Sequence, residues 1–239
     1  LDVRLGFDLC IQEQDFLCKR KNYVIPALKK VLQLEQDLLD HETPVVAVMT
    51  TGGGMRSLTA LYGSLRGLKK LNVLDCAAYL TGLSGTTCIL KQYYSLRIVF
   101  HILQVTCLEI MKLQTLCMPV RDVNKRICRI LKGVRSSIKL QHNTRIITIS
   151  LESQKDNHRL SDQQQAIDRG QNPLPIYTAV NVKNNYSTLD FKEWVEFTPY
   201  EVGLQKYGVF VRTEDFGSEF FMGRLMKKVP ESRICFLEG

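Results

Sequence analysis

Three consecutive glycines set the strongest constraint on this chain. Gly52-Gly53-Gly54 follow the apolar, β-branched run Pro44-Val45-Val46-Ala47-Val48-Met49 and the pair Thr50-Thr51. The run reads as a buried strand. The glycines reach backbone conformations that side chains forbid, so they predict a tight loop that exposes its amides. Beyond them Leu58, Leu61, Tyr62, Leu65 and Leu68 recur at helical spacing, with Arg66, Lys69 and Lys70 mostly on the other side. That is an amphipathic helix. Ala77-Ala78-Tyr79-Leu80 then reads as a second short strand that runs into Gly82-Leu83-Ser84-Gly85-Thr86. Strand, glycine loop, helix, strand and small-residue turn describe a βαβ unit whose right-handed crossover makes the two strands parallel neighbours. The expected class is α/β.

Other elements fit around that unit. Residues 11 to 34 carry apolar positions at helical intervals, with Asp8 as the expected N-cap and Pro26 as a kink or break. Pro175 to Val182 and Tyr207 to Val211 read as strands. With 239 residues, 45% hydrophobic and 23% charged, the chain has enough apolar material for a sizeable core, which excludes disordered and fibrous classes.

Charge is unevenly placed. The net +8 resides in residues 88 to 150, which hold eleven basic and two acidic residues for +9 and leave −1 for the remainder. Aromatic residues there are limited to Tyr93, Tyr94 and Phe100, and no recognition motif accompanies them, so a nucleic-acid-binding module is not the expectation. Ile98 to Leu108 is apolar but well short of the roughly 20 residues that span a bilayer. Ile98 to Leu113 could form an amphipathic helix for anionic lipid, and an insert without that role is the alternative. The eight cysteines show no C-x-x-C pair and no histidine at metal-ligand spacing, so reduced, buried thiols and no metal are expected. The chain begins Leu1-Asp2-Val3-Arg4 without a basic-then-apolar leader, which makes a reducing, cytosolic setting the default.

Gly82-Leu83-Ser84-Gly85 stands where a strand would turn sharply into a helix, the context in which a serine becomes an exposed nucleophile. A plain Gly-Ser turn is the competing reading. If both loops follow adjacent parallel strands, glycine amides face the serine hydroxyl at the carboxyl edge of the sheet, the arrangement acyl transfer requires. A phosphate-cradling loop lacks support, because the Lys-Ser/Thr ending of a P-loop and the dinucleotide spacing are both missing. Arg56 in the first helical turn opposes the helix dipole unless an anion is held beside it. His41, His101, His142 and His158 have no diagnostic neighbours and read as surface or linker residues, so the serine needs another base.

Taken together these residues resemble a known family. The run from Pro44 to Ser57, Leu74-Asp75-Cys76 and Gly82-Leu83-Ser84-Gly85-Thr86 are similar to the catalytic domain of cytosolic (group IV) phospholipase A2. So are residues 1–10, 171–177, 196–201 and 214–223, and the pattern most resembles the branch containing the delta, epsilon and zeta forms. The likeness covers residues 1 to about 88 and about 150 to 239, with the basic segment 88 to 150 between them. Retained intron sequence, a misassembled exon or a lineage-specific replacement would each produce such a segment. The resemblance implies one partial lipase domain with a patatin-like α/β sheet. It implies Ser84 as nucleophile of a Ser-Asp dyad, Gly53 and Gly54 as oxyanion amides, and Arg56 near the lipid phosphate.

The implied reaction is hydrolysis of the sn-2 ester of a glycerophospholipid at a membrane surface, through an acyl-serine intermediate. Transfer of the acyl group to a lysolipid or to phosphatidylethanolamine is an alternative, as is a catalytically impaired lipid-binding fragment or splice form. The dyad aspartate is expected in an Asp-x-Gly motif beyond the stretch resembling residues 232–239, outside this sequence, which predicts little activity from these residues alone. Asp168-Arg169-Gly170 and Asp215-Phe216-Gly217 are expected to be turns. The resemblance implies no bound cofactor in this part. Calcium in the family acts through a separate lipid-docking domain, and the expected location is cytosolic with peripheral membrane association.

Overall fold

The computed structural model describes residues 1–95, 158–181 and 193–234. Seven strands form one sheet in the order β1-β7-β6-β5-β4-β3-β2. In chain order they are Val3–Leu5 (β1), Ala47–Val48 (β2), Tyr79–Gly82 (β3), Leu174–Asn181 (β4), Glu193–Phe197 (β5), Glu201–Leu204 (β6) and Val209–Arg212 (β7). β2, β3 and β4 run parallel, whereas β4 through β7 and then β1 pair antiparallel. Glu219–Phe221 (β8) and Arg224–Lys227 (β9) make a separate hairpin.

The expected βαβ unit is present. Met55–Lys70 (α2) joins β2 to β3, burying Leu58, Leu61, Tyr62 and Leu65 and leaving Arg66 and Lys70 in solvent. Its first strand departs from the expectation. Only Ala47 and Val48 enter the ladder, and Val45 and Met49 are 63% and 81% exposed. β2 is the last strand of the described sheet, so its outer edge meets no other strand among the described residues. The apolar run is an edge strand rather than a buried one.

Helix α1 spans Ile11–Leu32. Phe16, Arg20, Val24 and Leu28 repeat every fourth residue and are buried, and Val24 and Leu28 pack against Cys76 with Ala27, Val31 and Leu38. Asp8 does not cap this helix. The capping position is Cys10, two residues later, and no side chain closes it. Pro26 lies inside the unbroken helix. Proline removes the bond to the carbonyl of Asn22, but both residues are exposed, so water can satisfy that oxygen.

Arg20 is the unexpected member of the stripe. It is 1% exposed, and its guanidinium donates to the carbonyls of Ala77 (2.9 Å), Gly170 (2.8 Å) and Asp75 (3.0 Å). Burying a charge is tolerated because each of its donor nitrogens is bonded. One side chain thus ties α1 to the entry of β3 and to the Asp168-Arg169-Gly170 turn.

Gly85–Ser95 (α3) follows β3. Ile89, Leu90 and Tyr94 are buried, and the Tyr94 hydroxyl donates to the Pro173 carbonyl at 2.7 Å. The thiols of Cys10 and Cys76 are free and buried as expected, but Cys18 is exposed and Cys88 half-buried. No helix among the described residues is long and apolar enough to cross a membrane. His101, His142, Val182, most of the basic segment with the Ile98 to Leu113 stretch, and Cys107, Cys117, Cys128 and Cys235 lie outside the described residues.

Candidate active site

Ser84 occupies the turn between β3 and α3 with φ of +57°. A residue with a Cβ is disfavoured in this left-handed region by about 1–2 kcal/mol, so the surrounding bonds must hold it there. They do so from both sides. The Thr87 amide donates to the Ser84 carbonyl at 2.9 Å and the Thr87 hydroxyl donates to the same oxygen. The Thr86 hydroxyl closes the turn over Leu83, accepting from its amide at 2.8 Å and donating to its carbonyl at 2.9 Å. The Thr178 hydroxyl on β4 donates to the Gly82 carbonyl at 3.2 Å. Ser84 itself is exposed.

The glycine loop lies directly against this turn. A Cβ placed on Gly52 would stand 3.3 Å from the Ser84 Cβ, and one on Gly85 would stand 2.1 Å from the Gly54 carbonyl oxygen. No side chain fits at Gly85 without driving the two loops apart. Gly54 has φ of +60° and ψ of −131°, a conformation essentially confined to glycine. Its carbonyl accepts the Leu58 amide at 3.1 Å and the Ser57 hydroxyl at 2.9 Å, anchoring the loop to the start of α2. Among the described residues, neither the Gly53 nor the Gly54 amide donates to a protein acceptor. The positive end of the α2 dipole lies at the same place, so charge and donors are both arranged for an anion. Arg56 is exposed in the first turn of α2.

The remaining sequence candidates are not gathered here. Asp215 is fully buried and bound to the Arg212 guanidinium (2.8 Å) and the Lys228 ammonium (2.9 Å). Burial alone would raise its pKa, but the Lys228 hydrogen bond and the two cationic charges outweigh that and hold it below the usual carboxylate value. Asp168 is exposed, 3.8 Å from the Arg169 guanidinium. His41 is exposed, but His158 is not a surface residue; its ring is largely buried, 3.8 Å from the Asp162 carboxylate.

A second polar cluster escaped the sequence reading. Arg4 on β1 donates to Glu201 on β6 through Nε at 3.0 Å and Nη2 at 2.5 Å, and stacks 4.2 Å from the Phe210 ring centroid. Glu13, buried at the start of α1, accepts from the Tyr79 hydroxyl at 2.7 Å. Burial raises the Glu13 pKa despite that hydrogen bond, and burial also raises the Cys10 thiol. Cys10, Glu13 and Glu201 offer ligand atoms within 4.8 Å of one another. The Arg4 guanidinium already neutralises Glu201, so the donor set does not fit a cation well. A cavity of about 160 Å³ opens here, lined by Arg4, Glu13, Tyr79, Ile176, Glu201 and Phe210 among others, and includes neither Ser84 nor the glycine loop. Nothing short-range links residues 4, 13 and 201, so no local motif could have revealed it.

Comparison with known proteins points to one kind of enzyme. Human cytosolic phospholipase A2 epsilon is 48% identical across all of this chain, which covers 28% of that protein, and human cytosolic phospholipase A2 delta is 46% identical with 30% of its length covered. The solved structure of human GIVD cytosolic phospholipase A2 superposes with a TM-score of 0.81 at 45% identity, over the whole chain and 33% of that structure. Along its whole length the chain is similar to cytosolic phospholipases A2. The lysophospholipase catalytic domain model matches residues 144–239. The same human enzyme in complex with methyl gamma-linolenyl fluorophosphonate matches with a TM-score of 0.75 at 43% identity, covering 35% of that chain. The chain spans less than a third of the curated cytosolic phospholipase A2 relatives cited here.

Proposed function

We propose that this chain carries the nucleophile and oxyanion elements of a phospholipase A2-type serine esterase. The observation that carries this reading is the Ser84 turn at φ +57° with Gly52–Gly54 packed against it. In this reading the Ser84 hydroxyl attacks the sn-2 ester carbonyl of a glycerophospholipid. Its proton passes to an aspartate of a Ser-Asp dyad, the carbonyl π electrons move onto oxygen, and the Gly53 and Gly54 amides stabilise the oxyanion. Collapse breaks the ester C–O bond, and the lysolipid oxygen takes the proton back. Water then repeats the sequence on the acyl-serine. Arg56, at the mouth of the glycine loop, offers its charge to the lipid phosphate.

Within the described residues the dyad aspartate is neither Asp215, which is committed to two cations, nor Asp168, which is exposed on its turn next to Arg169. The resemblance assigns it to an Asp-x-Gly motif outside this sequence. The site acts at a phospholipid surface, peripherally, with the +9 segment at residues 88 to 150 supplying attraction to anionic lipid. The fluorophosphonate complex of the human relative supports the serine assignment, since such compounds phosphonylate activated serine hydroxyls. A fluorophosphonate labelling assay tests it: Ser84→Ala in the complete protein is expected to abolish labelling, and undiminished labelling would reject the assignment.

A further inference from the structure

We propose that Thr50, Thr81 and Thr86 form a hydroxyl latch that sets the glycine loop against Ser84, making all three positioning residues of the acyl-transfer site. The proposal rests on the reading of Ser84 as nucleophile. Its starting point is the shortness of β2. The β2–β3 ladder pairs only Ala47 with Tyr79 and Val48 with Leu80, so regular pairing ends before the loop begins. Side chains take over at that point. The Thr50 amide donates to the Thr81 hydroxyl at 3.0 Å, and the Thr50 hydroxyl donates to the Thr81 carbonyl at 2.6 Å. One threonine on β3 thereby receives both donors of Thr50 and carries the pairing beyond the regular ladder.

The same Thr50 hydroxyl lies 2.9 Å from the hydroxyl of Thr86, which is 1% exposed in the first turn of α3. Thr86 spends its own proton on the Leu83 carbonyl and accepts the Leu83 amide, so a lone pair is what it offers to Thr50. The Thr50 proton therefore faces two acceptors, one on β3 and one on the helix that follows the serine. This places the end of the glycine loop and both sides of the Ser84 turn in one hydrogen-bonded unit. Thr50 is separated from Gly53 by only Thr51 and Gly52, neither of which has a hydrogen bond among the described residues. Release of Thr50 leaves the loop held from its far end alone, by Ser57 and Leu58 on the Gly54 carbonyl.

Valine has nearly the shape of threonine without the hydroxyl, which makes it the discriminating substitution. Thr50→Val and Thr86→Val in the complete protein are expected to lower the saturating rate of fluorophosphonate labelling by about 10- to 100-fold, the scale of a misplacement near 1 Å. The probe concentration giving half that rate should stay within about twofold, because probe binding does not use the latch. Thr50→Ser and Thr86→Ser restore the hydroxyl and should recover most of the rate. The double valine variant should be slowed by less than the product of the two single effects, since the substitutions share the Thr50–Thr86 bridge while each also breaks a bond of its own, to Thr81 or to Leu83. Melting midpoints are followed in parallel, and Thr50, only half-buried, carries the test should Thr86→Val not fold. Wild-type rates in the valine variants, or serine variants as slow as valine, would overturn the latch while Ser84→Ala still abolished labelling. Labelling that survived Ser84→Ala would instead overturn the nucleophile reading and the latch with it.

Discussion

At residue scale the site trades stability for exposure of a hydroxyl. Ser84 sits at φ +57° although its Cβ disfavours that region, and the bonds from Thr86 and Thr87 hold the turn closed around it. Strain of this kind persists only where neighbours over-determine it. The consequence is measurable without any substrate. Ser84→Gly removes the Cβ clash, whereas Ser84→Ala keeps it, so the glycine variant should be the more stable of the two. After the entropy that glycine loses on folding is set against the gain, the expected difference is about 0.5–1 kcal/mol. Urea midpoints of the two variants check it, and a less stable glycine variant would show that the turn is unstrained. The serine turn was legible in the sequence because small residues flank it. Its threonine bonds were not, because threonine in a short apolar context reads as an ordinary strand former.

At the scale of elements, the parallel half of the sheet was legible and the antiparallel half was less so. β2, α2 and β3 were announced by a β-branched run, glycines and a 3.6-residue period. β5 and β6 were not separately announced, because their residues, Glu193-Trp194-Val195-Glu196-Phe197 and Glu201-Val202-Gly203-Leu204, earn their place by pairing with distant partners. The role of Arg20 was not legible either. It falls on the apolar stripe of α1, where a charge reads as solvent-facing, but its partners are carbonyls 55 to 150 residues away. Glu13 is a second buried charge on the same helix and has a pH signature. Burial raises its pKa above the usual 4.5, so the folded state favours the protonated form. Its contribution to stability is full below about that pH and is lost as pH rises through the raised folded value. Glu13→Gln keeps a neutral side chain at all pH values and should gain stability relative to wild type as pH rises from acid to neutral. Denaturant midpoints across that range measure it; a variant that instead loses ground on the way to neutral pH would mean that the carboxylate form is the stabilising one.

For the whole molecule the governing quantity is where the charge sits. Outside residues 88 to 150 the sequence is close to neutral at −1, while that segment holds +9. A net charge of +8 spread evenly would act as a weak long-range field; gathered into a quarter of the chain, under the proposed function, it would act as a polybasic anchor. Each basic residue near an anionic surface contributes about 1 kcal/mol, and the attraction fades within a Debye length. Raising salt from about 0.1 M to about 1 M shortens that length from about 10 Å to about 3 Å. Cosedimentation with vesicles containing phosphatidylserine should therefore fall steeply over this range. Cosedimentation with phosphatidylcholine vesicles, which carry no net charge, should be weaker and change little. The sign is opposite to that of apolar insertion, which added salt leaves intact or strengthens. Binding that is equal on both vesicle types and unmoved by salt would place the lipid contact on apolar side chains and remove the basic segment from it.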